Sequence, residues 1–149
     1  VFFALLALGL PAWLAAMGWE TRGAPPAWGV AGQAAGGLMQ LACMWIAWRT
    51  FRANSFAAPA VQVQSDRGQT VIDTGPYAIV RHPLYAGAVL WMIGLPLLLG
   101  SRLGLIGSGL MILLVAVRAV GEERVLDGAL AGYSDYRRRV RWRLVPGIW

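Results

Sequence analysis

Four stretches of the chain carry no charged residue: Val1–Trp19, Ala27–Trp48, Pro83–Ser101 and Leu103–Val117. A helix crossing a bilayer needs roughly 20 apolar residues, within a range of about 17–25. The first three stretches meet that length. The fourth meets it only if Arg118 snorkels to the interface or faces a protein interior. The first stretch lacks a basic leader and a small-residue cleavage site before Glu20, so it reads as a membrane helix rather than a signal peptide.

Two polar regions interrupt this pattern. Between the second and third stretches, "VQVQSDRGQTVID" alternates apolar and polar positions. By itself it would read as a short strand pair; at a membrane face it is expected to be an ordered, partly extended loop. After the fourth stretch, apolar or aromatic residues recur at Val125, Leu126, Leu130, Tyr133 and Tyr136. That spacing predicts one amphipathic helix, weakened by Gly128 and Gly132. The pattern therefore gives an all-α, multi-pass transmembrane protein. It has about four membrane helices and a cytoplasmic C-terminal amphipathic helix.

Small residues repeat at four-residue spacing, at Gly32 and Gly36, Ala31 and Ala35, and Gly104 and Ser108. In lipid such pairs let helix backbones approach closely. Gln33 and Gln40 lie seven residues apart on one face of the second helix, where they are placed to hydrogen-bond across helices.

Composition strengthens the membrane reading. Hydrophobic residues make up 58% of the 149 and charged residues 13%, against roughly 25% charged in an average soluble domain. Every one of the 13 basic residues is arginine. The net charge of +6 is no nucleic-acid signal, because Arg137, Arg138, Arg139, Arg141 and Arg143 crowd the C-terminal tail, where a membrane protein keeps cations near anionic lipid. Arg49, Arg52, Arg81, Arg118 and Arg124 flank the same ends of the helices. The positive-inside rule puts those ends, and both termini, in the cytoplasm, which here means the inner face of a bacterial inner membrane. Cys43 lies among apolar neighbours and reads as core packing.

Two polar clusters fall at this cytoplasmic side. In "GPYAIVRHPLYAG" Pro83 suits the first turn of a helix, and His82 then falls near its N-cap. The free amides of that helix, beside Arg81 and His82, would favour an anion. Tyr77 and Tyr85 offer ring faces and hydroxyls. The bland alternative is a capped helix with an interfacial aromatic belt. In "RAVGEE" Arg118 and Glu122 share a helix face. Adjacent acids give nothing to topology and cost desolvation unless they meet cations. A zwitterionic ligand carrying an aromatic base, such as S-adenosylmethionine, would match this mouth, as would other cofactors.

"GPYAIVRHPLYAG", "RAVGEERVL" and "GYSDYRRRVRWRLVPGIW" together resemble the isoprenylcysteine carboxyl methyltransferase family. That family includes bacterial membrane methyltransferases and is related to phospholipid methyltransferases. The resemblance covers about residues 50–149. It implies a single integral-membrane domain over 1–149, with 1–53 supplying two membrane helices and 54–149 a cofactor-binding core. It implies S-adenosylmethionine as cofactor, contacted by His82, Pro83, Leu84, Tyr85, Tyr77 and Glu122. Further contacts carry over to Gln69, Thr70, Val71 and Ile72, and to Gln62, or to Gln64 if a short gap is placed. Gln69 stands where eukaryotic members have histidine, which bears on that loop's contacts and not on the cofactor class. Arg118 carries over as the residue that meets the substrate.

The implied reaction is direct attack of an acceptor on the sulfonium methyl. The acceptor is lipophilic or small, a carboxylate, thiol or amine, presented at the cytoplasmic membrane face among membrane lipids. No metal and no nucleic acid are expected. Two other readings compete. An NADPH-dependent membrane sterol-type reductase would need cations for its extra phosphate, and the acid pair argues against a polyanion. A non-catalytic membrane scaffold would bind no cofactor.

Overall fold

The computed structural model describes residues 2–23, 25–54 and 70–149. Its elements are α1 (Phe2–Glu20), α2 (Gly29–Ala53), a 3-10 turn (Gly75–Ala78), α3 (Pro83–Leu99), α4 (Arg102–Ala129) and α5 (Tyr133–Arg139). No strand occurs among the described residues, whose one β-bridge joins Val80 to Trp142. Gln62, Gln64 and Gln69, and most of the alternating loop, lie outside the described residues.

Three helices, α1, α2 and α4, are long and apolar enough to cross a membrane, and α3 is a shorter apolar helix. Their outward faces are greasy. Leu38, Leu41, Trp45 and Trp48 on α2 are exposed, as are Ile106, Leu110 and Leu113 on α4, each set at three- and four-residue spacing. In water such stripes would be a liability; in lipid they are the solvent-matched face. The chain is an integral membrane protein with the expected multi-pass helical architecture.

Two features of the helices have local causes. The fourth helix runs for 28 residues, Arg102–Ala129, and carries the Arg118–Glu122 face within it. "RAVGEERVLDGA" contains no proline and is rich in good helix formers, so charge alone does not end the helix. At a 1.5 Å rise per residue it is about 42 Å long, against roughly 30 Å of hydrocarbon. Its last turns, with Glu122 and Glu123, therefore extend beyond a bilayer core entered at Arg102. The predicted single C-terminal amphipathic helix is instead divided. Its first half is the end of α4, and Gly132, at φ 82°, breaks the path before the 7-residue α5. That left-handed conformation is open to glycine and strained for most other residues.

The chain forms two compact units, one of Val1–Cys43 with Ala88–Ala116 and one of Met44–Gly87 with Val117–Trp149. In the first unit, buried polar contacts tie the helices together. Pro96 has no N–H, which leaves the Met92 carbonyl one turn earlier without its helical donor. The Ser108 hydroxyl of α4 is aimed at that carbonyl (2.5 Å) and at the Gly104 carbonyl (2.8 Å). The Trp13 indole N–H donates to the Gly104 carbonyl (2.8 Å). Glu20 closes the start of α4: its Oε2 accepts from the Ser101 hydroxyl (2.5 Å) and the Leu103 amide (2.9 Å), and its Oε1 from the Arg102 amide (3.2 Å). The Ser101 hydroxyl in turn accepts from the Gly104 amide (2.8 Å), so the first amides of the helix are all paired.

The glycine and glutamine patterns also find their roles here. Gln33 and Gln40 donate to the Leu98 and Trp91 carbonyls across the α2–α3 interface. A Cβ at Gly36 would lie 2.4 Å from the Leu98 amide nitrogen and 2.5 Å from the Gly94 carbonyl. Backbone cannot yield as a flexible side chain can. Gly36→Val is therefore expected to cost at least about 1–3 kcal/mol through overpacking, read as a lowered thermal midpoint in detergent. An unchanged midpoint would show that the helices separate there without penalty.

Candidate active site

The second unit brings the two polar clusters of the sequence together. Its frame is a strap, residues 140–149, laid against the residues that enter α3. The Arg81 amide donates to the Trp142 carbonyl (2.9 Å) and the His82 amide to the Arg143 carbonyl (3.0 Å). The Arg81 guanidinium Nη1 donates to the carbonyls of Val140 and Arg141, each at 2.7 Å. Four successive strap carbonyls are thus spent on two residues. The strap closes on itself, because the Trp149 carbonyl accepts from the amides of Arg143, Leu144 and Val145.

Glu123 is the ionic centre of this frame. Its side chain is 3% exposed. Its Oε1 accepts from Arg81 Nε (2.7 Å) and faces His82 Nε2 (3.2 Å), and its Oε2 accepts from Arg143 Nε (3.0 Å). A buried carboxylate is tolerable when both oxygens meet cationic or donor groups in this way. The finding corrects one expectation. Arg81 and His82 do not present an open anion site at the start of α3, because an acid of the chain itself occupies them. Nothing local in the sequence marks this grouping: Glu123 lies 42 residues from Arg81 and 20 from Arg143.

Glu122, one residue earlier and about 100° around the helix, faces a different set. Its Oε2 accepts from the Tyr85 hydroxyl (2.7 Å), and that hydroxyl accepts from Arg118 Nε (2.6 Å). The Arg118 guanidinium carbon also lies 6.0 Å from the Tyr85 ring centroid. The Tyr85 ring stacks on the His82 ring at 5.4 Å and 9°. Glu123 therefore sets the His82 ring, His82 supports the Tyr85 ring, and the Tyr85 hydroxyl joins Arg118 to Glu122.

The remaining residues singled out in the sequence distribute around this core. Pro83 is fully buried at the first position of α3, and Leu84 beside it is half-buried. Tyr77 sits on the 3-10 turn. Its hydroxyl accepts from the Asn54 side-chain amide (2.9 Å), and its carbonyl from the Tyr136 hydroxyl (2.8 Å). Val71 packs with Leu126 and Leu130 against the buried cluster of Tyr133, Tyr136 and Val140. Ile72 is half-buried and Thr70 exposed. Burial pushes the Tyr77, Tyr133 and Tyr136 phenols above the ordinary tyrosine range, so each stays a neutral donor. The Tyr133 hydroxyl is buried and has no hydrogen-bond partner among the described residues. The tail arginines, read from sequence as a lipid-facing run, pair largely within the protein: Arg137 with Asp127 (3.0 Å), Arg139 with Asp73 (2.9 Å), and Arg138 with Asp135.

A carboxylate and a guanidinium, one turn apart and joined through one phenol, form the chemically distinctive part of the chain. The family model for phospholipid methyltransferases matches residues 31–131, more than half of the sequence, and takes in Tyr85, Arg118 and both acids. The chain belongs to the phospholipid methyltransferase family. No curated protein matches it. No solved structure matches it either. Members of this family are membrane methyltransferases, which agrees with the helices described above. The strap and α5 lie beyond the matched residues. In this chain, part of the frame around the acids is thus built outside the stretch that matches the family.

Proposed function

We propose that the chain transfers a methyl group from S-adenosylmethionine to a lipophilic or small acceptor at the cytoplasmic face of the membrane. The observation that carries this reading is the Arg118–Tyr85–Glu122 grouping within the family-matched stretch. The donor set fits the cofactor. Glu122 offers a half-buried carboxylate to an ammonium group. The Tyr85 ring offers an aromatic face. The Tyr133 hydroxyl is a buried donor with no protein partner among the described residues. When bound, S-adenosylmethionine supplies a methyl group made electrophilic by its sulfonium.

The chain's own residues then position and dehydrate. Glu122 holds the cationic end of the cofactor, while Tyr77, His82, Pro83, Leu84 and Tyr85 shape its surroundings. Thr70, Val71 and Ile72 belong to the same binding surface by family resemblance, as do Gln62 and Gln69. Arg118 holds an anionic group of the acceptor. A carboxylate or thiolate nucleophile needs no strong base, so alignment and exclusion of water supply most of the rate. An acceptor with an apolar tail can reach such a site from lipid while the cofactor arrives from the cytoplasm.

The test is transfer of isotope-labelled methyl from S-adenosylmethionine to candidate lipids, acids, thiols and amines by detergent-solubilised protein. Arg118→Ala is expected to lower transfer to an anionic acceptor about tenfold through lost alignment. Arg118→Lys should rescue it only in part, since a point charge does not replace a planar fork. Full transfer in Arg118→Ala would show that this arginine does not align the acceptor.

A further inference from the structure

We propose that the Tyr85 hydroxyl makes binding ordered, by releasing a donor to the acceptor only after the cofactor has claimed Glu122. This rests on the cofactor reading above and adds a switching role to one atom.

A phenol has a limited hydrogen-bonding capacity. Its oxygen carries one proton to donate, and that proton goes to Glu122 Oε2 at 2.7 Å. The same oxygen accepts from Arg118 Nε at 2.6 Å. The hydroxyl is therefore committed on both sides, to Glu122 and to Arg118. The ring has little freedom to escape, because it stacks on His82 and His82 faces the buried Glu123.

A cation that pairs with Glu122 through Oε2 competes with the Tyr85 O–H for that oxygen. The ammonium interaction is charge-assisted on both sides and displaces a neutral donor. The freed O–H then turns to a new acceptor while Arg118 Nε still donates to its oxygen. An anionic group of the substrate arriving beside Arg118 meets two donors, a guanidinium and a phenol. Before the cofactor binds, it meets only the guanidinium. Cofactor binding thus completes the acceptor site, and the two sites are linked through a single oxygen.

The linkage has a sign that binding measurements read. Removing the hydroxyl removes the internal competitor for Glu122. Tyr85→Phe keeps the ring and its stack on His82, so the fold should persist. S-adenosylhomocysteine is expected to bind Tyr85→Phe about two- to tenfold more tightly than wild type, from loss of one hydrogen bond to the carboxylate in the unliganded state. Arg118 strengthens that competitor by polarising the phenol. Arg118→Ala should therefore shift the affinity in the wild-type background, and by at least about threefold less in the Tyr85→Phe background.

The experiment is a calorimetric titration of S-adenosylhomocysteine into wild type, Tyr85→Phe, Arg118→Ala and the double variant. Thermal midpoints within a few degrees of wild type serve as the check on folding. Tighter binding in Tyr85→Phe with a non-additive Arg118→Ala effect supports the switch. Weaker binding in Tyr85→Phe, or equal Arg118→Ala effects in both backgrounds, overturns it and leaves the cofactor reading standing. Absence of binding in wild type overturns the cofactor reading itself.

Discussion

Glu123→Ala is expected to be the most damaging single substitution in the second unit. The carboxylate is 3% exposed and is shared by Arg81, His82 and Arg143. Removing it leaves Arg81, itself 7% exposed, with its charge buried and uncompensated. Breaking a buried pair by deleting one partner typically costs about 3–5 kcal/mol, a large share of the stability of a domain. The loss would propagate. The Arg81 and His82 backbone carries the strap, and the His82 ring carries Tyr85. We expect Glu123→Ala to yield little monodisperse protein in detergent, with a thermal midpoint well below wild type in what remains. Glu123→Gln retains the shape but donates from one side toward cations, so it should be intermediate. A Glu123→Ala protein with wild-type yield and midpoint would show that the three partners find other acceptors at no cost.

Glu122→Gln should behave in the opposite manner, with binding lost and the fold retained. Glu122 is half-buried and meets one hydroxyl, so its replacement strands no buried charge. Under the proposed function it is the counter-ion of the cofactor's ammonium. Loss of a charge-assisted hydrogen bond typically costs roughly 1.5–3 kcal/mol, about ten- to a hundred-fold in affinity. S-adenosylhomocysteine affinity should fall by that factor while the thermal midpoint stays within a few degrees. The adjacent acids would then separate cleanly, one into stability and the other into binding. Unchanged affinity in folded Glu122→Gln would remove this residue from the cofactor site.

The contrast between the two acids also shows what the sequence can reveal. Membrane helices are legible because lipid imposes a simple rule, about 20 apolar residues with few charges, and each of the four uncharged stretches falls on one of the four long helices, three of them long enough to cross. Pro83 marked the start of α3 correctly, since its missing N–H suits a first turn. The pairing of Arg118 with Glu122 on one face followed from helical periodicity alone. Other features had no local signature. The fourth helix runs on past Arg118 to Ala129 because charge does not terminate a helix, and Gly132, at φ 82°, then caps the start of α5. The roles of Glu123 and Arg143 depend on pairing 20 residues apart, and that of Arg81 on pairing 42 apart. A run of tail arginines looks alike from sequence whether each faces lipid, as the positive-inside rule suggests, or an acid of the same chain. Arg143 reaches Glu123, whereas Arg141, two residues earlier, is exposed. The same holds for Ser108, which reaches the Met92 carbonyl that Pro96 leaves without its helical donor.

S-adenosylmethionine as the cofactor is checked by titrating wild-type protein in detergent with its demethylated product, S-adenosylhomocysteine, and, separately, with NADPH. Saturable binding of S-adenosylhomocysteine near one equivalent per chain, with no heat from NADPH, is the predicted result. Saturable binding of NADPH, or no binding of either ligand by folded protein, would contradict it.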